Sequence, residues 1–525
     1  MKILTDTGLM VLWNKIKQLV LGNRPYNPSE FSGKGYKVLE KNIQTVGGVK
    51  KNILTAIMLS EANTIYEIRY DFDLDGETIE MQDGCTLKFC GGSLKNGTLK
   101  GANTVIKSDI TLIFKNVDLL ESFNALVSYP EWFGGIADNP NVDNTASINK
   151  CLTFFNMCYL SNGLYYVKCD SENNNIIKVP QGKILSSNKR HFGYGNIEKI
   201  VGIVLKPKSI CNYMIEMTYG AEVSNIYIIA QRNVNGLRAK GSRMNIETVC
   251  VIGANIGINI EAYLTIIKHV NSALCNIGFK ITGNYSGNTY LSKNTSLSLI
   301  DCYASECRDV GYAVSKLTYS NFINCACDHT GMKQFNKDTF KAAYYLENCD
   351  SINILGCGSE ENVKLLYCEN CRNLTVNVDY IVNYNAIIDK DSKYFTKYID
   401  IHYCTLCDFK LQGDFINLPD SVPRKYVYIY DTYRDIINTI NCKAGNITIE
   451  GSTDSEDLIE SIANNTILKG NARELRNSLV LKNSDNYIPT LKSSDAGVLL
   501  FNKTLKKMIL WNGSEWTNVD GTILS

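Results

Sequence analysis

The chain has 525 residues, and its 54 Lys and Arg against 53 Asp and Glu leave a net charge of +1. One ordinary hydrophobic core does not grow to that length, so the sequence specifies several domains or a repeating stack. The even balance offers phosphates no basic face, which excludes a charge-driven nucleic-acid binder, and no run of about eighteen apolar residues exists to cross a membrane.

The first expected unit is residues 1–24. Thr5 or Asp6 caps a helix in which Leu9, Leu12, Trp13, Ile16, Leu19 and Val20 share one side. Lys15 and Lys17 interrupt the apolar run and no small-residue cleavage site follows, so this is not a signal peptide. The linker-like Gly22-Asn23-Arg24-Pro25 cuts the helix loose, which suits an amphipathic N-terminal anchor. Residues 25–128 then carry short alternating strands (Leu87-Lys88-Phe89, Thr104-Val105-Ile106) between Gly-rich turns such as Asp83-Gly84 and Asn96-Gly97. They read as a capping module or as the first narrow coils of a β-helix.

Residues 129–390 form the main body. It opens with Tyr129-Pro130-Glu131-Trp132-Phe133-Gly134-Gly135, followed by Asp143-Asn144-Thr145-Ala146-Ser147-Ile148. Asp143 or Asn144 caps a helix with Ile148, Leu152 and Phe155 on one stripe, Gly163 ends it, and Leu164–Val167 follows as a strand. This wording resembles the opening segment of pectate-lyase-like phage tailspikes, in which a short helix caps the open end of a parallel β-helix. It departs by having Gly135-Ile136-Ala137-Asp138-Asn139 where that family has Ala-Lys-Gly-Asp-Gly.

Further along, one pattern returns at fixed phase: Asn235–Ala239, Ile256–Ile260, Ile277–Ile281, Val310–Val314, Ala342–Leu346, Val363–Tyr367 and Tyr384–Ile388. The intervals are twenty-one residues, lengthened twice by about a dozen. Alternation within each group has period two, so the groups are strands. One strand per repeat at constant phase means stacked coils, here a single-stranded parallel β-helix, right-handed as the resemblance implies. The fold class is all-β. The two long intervals mark side loops.

The coil phase also reads the 19 cysteines. Cys302, Cys325 and Cys357 repeat in phase, as do Cys349 and Cys371, which describes buried ladders of free thiols. Cys368-x-x-Cys371 and Cys404-x-x-Cys407 have the spacing of zinc half-sites, but the ladder already accounts for Cys371. No metal and no cofactor is assigned. Residues 391–478 keep strands without the period, with a short helix over 455–464, and residues 479–525 read as a terminal β-hairpin module with Trp511 and Trp516 exposed.

Aligning the coils at the cysteines puts Ser305, Asp328 and Glu360 in one row and Glu306, His329 and Glu361 in the next. Glycoside hydrolysis needs two carboxylates, about 5 Å apart for retention and about 6.5–9.5 Å for inversion. One or two rungs of the stack span that range, so Glu306, Asp328, Glu360, Glu361 and His329 are the candidate catalytic residues. Tyr285 and Tyr290, near the first side loop, are candidate sugar-binding residues, whereas Tyr312 sits at an inward phase. The alternative is that these rows are ordinary solvated corners.

Two more stretches, Pro28–Gly33 leading to Gly91–Thr98, and Asp495–Asn502 with Trp511–Trp516, are similar to tail proteins of phages infecting gut Bacteroides, including crAss-like phages. The resemblance implies a homotrimeric virion tailspike or tail fibre, made in the cytoplasm of an infected bacterium. It would join other tail proteins through its N-terminal segment and meet a host surface glycan. Two roles stay open at this point: a depolymerase, hydrolysis favoured over elimination, or a non-enzymatic adhesion fibre.

Overall fold

The computed structural model describes residues 35–169, 176–187, 200–206, 209, 211–283, 285–286, 289–290, 295–331, 341–382, 397–411, 425–430, 436–440, 446–450, 465–468, 499–502 and 507–518. The expected anchor helix at 1–24 and the short helix at 455–464 lie outside these residues. The chain divides into two compact units, Met1–Asn124 and Ala125–Ser525.

In the first unit, Gly35–Val38, Thr64–Ile68, Thr86–Phe89, Leu94–Lys107 and Phe114–Asn124 pair in parallel, one after another. The coils are narrow because the backbones approach closely. A Cβ on Gly92 would lie 2.3 Å from the Tyr70 carbonyl oxygen, so only glycine fits there.

The second unit opens with the 3₁₀ turn Pro130–Phe133 and the helix Thr145–Phe154, the one α-helix among the described residues. Asn144 is the N-cap residue and makes no side-chain cap bond; the Asp143 carboxylate just before it accepts the Thr145 amide at 3.1 Å and fixes the turn into the helix. Ile148, Leu152 and Phe155 are all buried, and Trp132 packs edge-on against Phe155. The helix stops before Phe155, which is extended, rather than at Gly163 as expected. Gly163 instead makes a left-handed turn at φ 71° between two strands, Met157–Leu160 and Leu164–Val167.

Behind this cap the chain climbs in parallel coils. One column of strands runs Asn235–Ser242, Ile256–Tyr263, Ile277–Thr282, Val310–Ser315, Ala342–Glu347 and Leu366–Glu369. Leu237, Ile258, Phe279, Tyr312 and Tyr344 are successive register partners, as the repeat predicts. The fifth step is one residue longer than expected, pairing Tyr344 with Leu366 instead of Leu365. The column then continues through Lys397–His402, Lys425–Tyr430, Asn446–Glu450 and Asn465–Leu468, so paired strands cross residue 390. The expected group at 384–388 lies outside the described residues.

Two further columns share a second sheet, because strands such as Glu222–Ile229 and Asp350–Glu360 run through the bend between them. Between columns the chain turns on single residues in the left-handed conformation. Leu274, Glu306, His329 and Glu361 form one such corner, with φ of 57°, 49°, 54° and 51°. Each corner amide donates to the coil above: Leu274 to Ser305, Glu306 to Asp328 and His329 to Glu360. A small inward side chain follows each corner. Cys302, Cys325 and Cys357 are one file of this kind, all buried, with the Cys325 amide 3.3 Å from the Cys357 sulfur. Every described cysteine is a free thiol, and all but Cys90 are buried.

The core also holds a ring stack. Phe279, Tyr312 and Tyr344 are parallel, with centroids 4.8 and 5.3 Å apart. The Tyr312 hydroxyl reaches across the interior to the carbonyls of Cys302 (2.9 Å) and Ala326 (3.0 Å), and Tyr344 repeats this one rung up at Cys325 and Gly358. Truncating Tyr312 to Ala removes a fully buried ring and should destabilise the unit by about 3–5 kcal/mol. Tyr312→Phe, which deletes only the hydroxyl, should cost about 1 kcal/mol. Urea unfolding of the two variants measures both.

The C-terminal module is a three-stranded antiparallel sheet of Leu499–Asn502, Lys507–Trp511 and Trp516–Asn518. Trp511 and Trp516 are cross-strand partners with centroids 5.6 Å apart, and Trp511 is 9% exposed. The expectation of two exposed tryptophans is therefore corrected: pairing on one face shelters them from water.

Candidate functional site

The two sequence-aligned rows exist as adjacent rows in space. Strands Tyr303–Ser305 and Ala326–Asp328 and the end of Asp350–Glu360 are parallel neighbours, with Ser305 opposite Asp328 and Asp328 opposite Glu360. Asp328 and Glu360 thus sit one rung apart, about 4.8 Å along the stack. Glu306, His329 and Glu361 are the next residues and make the left-handed corner. His329 is exposed, Asp328, Glu360 and Glu306 are half-buried, and Glu361 and Ser305 are buried.

Alternation decides what stands beside the pair. Positions 304, 327 and 359 face the core, so the outward row two residues before the carboxylates is Tyr303, Ala326 and Gly358. Tyr303 donates its hydroxyl to the Asp328 carboxylate on the rung above. Ala326 and Gly358 add almost no bulk beside the two carboxylates, and the Tyr303 side chain reaches past Ala326 to Asp328. The strand pair beneath them is the one whose carbonyls Tyr312 and Tyr344 hold from inside.

The two carboxylates differ in their partners. Burial pushes the Asp328 carboxyl above the usual aspartate range; the Tyr303 hydrogen bond opposes this and the neighbouring Glu360 charge adds to it. No counterpart of Tyr303 on Glu360 is seen among the described residues.

A second in-phase pair shows the contrast. Glu347 and Glu369, on the other sheet, are also register partners. Each accepts a tyrosine hydroxyl, from Tyr345 at 3.0 Å and Tyr367 at 2.5 Å, and the two rings stack at 5.1 Å. Equal environments give two acids nothing to divide their roles by. Beyond them the buried Lys364 lies 2.9 Å from Asp400, which also holds His402 at 2.6 Å.

Tyr285 and Tyr290 are backbone partners in a small antiparallel ladder, Tyr285–Ser286 with Thr289–Tyr290. Of the second side loop, 332–341, only Lys341 is among the described residues. Among the described residues, no group of three or more His, Cys, Asp or Glu is placed to hold a metal ion, and no helix is long and apolar enough to cross a membrane.

Sequence reasoning missed Tyr303 as the partner of Asp328, although it lies two residues before Ser305 and so on the same face.

No family model matches the chain, and no curated protein matches it. Among solved structures, the chain is similar to the gp42 tailspike of Acinetobacter phage vb_AbaP_AS12 at 13% identity, covering 74% of this chain and 76% of that one, with a TM-score of 0.44. It is similar to ORF18 of Geobacillus virus E2 at 14% identity, over 76% and 75% of the two chains, with a TM-score of 0.38. An alginate lyase from Paenibacillus sp. str. FPU-7 gives 10% identity over 61% and 97%, with a TM-score of 0.28.

Because folding raises the Asp328 pKa, its contribution to stability is fully present below the unfolded aspartate pKa and is lost as pH rises through the folded value. Asp328→Asn removes that loss. The variant should melt above the parent at neutral pH, and the gap should close as pH falls to the ordinary aspartate range; thermal melts across pH check this.

Proposed function

We propose that the chain is a phage tailspike or tail fibre whose β-helix binds a host surface polysaccharide and hydrolyses it at the Asp328–Glu360 pair. The observation that carries the reading is that pair: two carboxylates on adjacent rungs, one of them held by a tyrosine hydroxyl, beside the small residues Ala326 and Gly358. Hydrolysis needs one carboxyl that keeps its proton and one that does not. The burial of Asp328 supports the first role for it.

The tail-protein reading is supported by the Tyr129–Gly135 and Asp143–Ile148 wording and by the capped helix that this segment forms over parallel coils. We take the N-terminal segment as the attachment to other tail proteins, a homotrimer as the working assembly, and the virion tail as its place. Kinship to tail proteins of phages infecting gut Bacteroides rests on the wording at 28–98 and 495–516. A neutral chain suits no nucleic-acid partner.

The test is digestion of capsular polysaccharide from a propagating strain, read as new reducing ends and as the ultraviolet absorbance of an unsaturated uronate. Hydrolysis gives the first without the second, and elimination gives both. Asp328→Asn and Glu360→Gln should each lower turnover by about 10²–10⁴-fold while the polysaccharide still binds. Undiminished cleavage by both variants removes the site, and binding without cleavage by the parent leaves an adhesion fibre.

A further inference from the structure

Two pairs of carboxylates on this edge have the spacing of a glycosidase, and they predict opposite stereochemistry. Asp328 and Glu360 are on adjacent rungs, close to the separation of about 5–5.5 Å at which one carboxylate itself attacks the sugar. Glu306 and Glu361 are two rungs apart on the corner row, nearer the separation of about 6.5–9.5 Å that leaves room for an attacking water. The space such a water would use is on the rung of His329, which stands between them in that row. Glu361 is moreover buried, at 9% exposure. The corner pair therefore has another residue on the rung between its acids and one of the two acids buried, which suits inversion less well.

From this geometry we infer that the site works with retention of configuration, Glu360 acting as the nucleophile and Asp328 as the acid and then the base. The inference rests on the hydrolytic reading above. In the first step a Glu360 oxygen forms a bond to the anomeric carbon and the glycosidic C–O bond breaks. Its electron pair stays on the departing oxygen, which takes the Asp328 proton. In the second step water attacks the same carbon and passes a proton to Asp328. The bond to Glu360 breaks, returning that side chain as a carboxylate. Water is the only co-reactant.

Two other observations fit the division of roles. Asp328 is the member of the pair held by a neighbour, through the Tyr303 hydroxyl, as a group that must give up and regain one proton at a fixed place needs to be. Gly358 and Ala326 put almost no side-chain bulk on the outward row next to the two carboxylates. Tyr303 is a positioning residue. Its hydrogen bond favours the ionised Asp328, so Tyr303→Phe should move the alkaline limb of the rate profile to higher pH. A merely structural role would leave that limb in place.

The deciding experiment is proton NMR of capsular polysaccharide from a propagating strain during the first minutes of digestion, before mutarotation, using the full chain. Retention predicts that the new reducing end first appears with the anomeric configuration of the cleaved linkage. An inverted first product overturns the inference and leaves hydrolysis standing. An unsaturated product, or no product, overturns both. Glu360→Ala with sodium azide supplies a second readout, since azide fits the space of the missing carboxylate. It should restore turnover at least tenfold over the variant alone and give a glycosyl azide of inverted configuration. No rescue, in a variant that melts like the parent, also overturns the assignment of Glu360.

Discussion

Everything in the second unit depends on how a strand turns the corner without losing its backbone hydrogen bonds. The turn is made by one residue in the left-handed conformation, a region that costs an ordinary side chain about 1–2 kcal/mol. The chain uses Leu274, Glu306, His329 and Glu361 for it as freely as asparagine or glycine. What offsets the strain is the amide of the corner residue, which points along the stack and meets a carbonyl of the next coil. The bond is local to the corner, so it fixes register there irrespective of what the chain does on the way round. Register in turn decides which side chains become neighbours.

The same logic ties the core to the surface. The tyrosines of the Phe279–Tyr312–Tyr344 stack are fully buried, yet their hydroxyls end on carbonyls of Cys302, Ala326, Cys325 and Gly358. Those are the strands that carry the carboxylate rows. Ala326 and Gly358 have little outward bulk to stiffen their strands, and the inward tyrosines supply that stiffness from behind.

Much of this was legible in the amino-acid order because a coil repeats its environment. Cysteines in phase located the rungs, and counting three residues on from Cys302, Cys325 and Cys357 gave Ser305, Asp328 and Glu360, which pair as counted. The failures have a common cause. Where the coil length changes by one, as between Tyr344 and Leu366, counting at constant period slips; past Leu366 the twenty-one-residue count points to 384–388, whereas the next strand of the column is Lys397–His402. Tyr303 was missed for another reason: its bond to Asp328 crosses rungs diagonally, and in-phase alignment compares only like positions. The tryptophans of the terminal module look exposed in a polar stretch until the hairpin register places them side by side.

From Ser305 to Asp328 the chain advances 23 residues, and from Asp328 to Glu360 it advances 32, yet each step is a single rung. Contour length and height are therefore uncoupled. Residues can be added to or taken from the flank of a coil while the two carboxylates keep their spacing, because the strand ladder and the corner bonds set it. Such an architecture separates what may vary under selection from what must not: a lineage can rewrite the flanks of a coil and inherit the register of its rows unchanged.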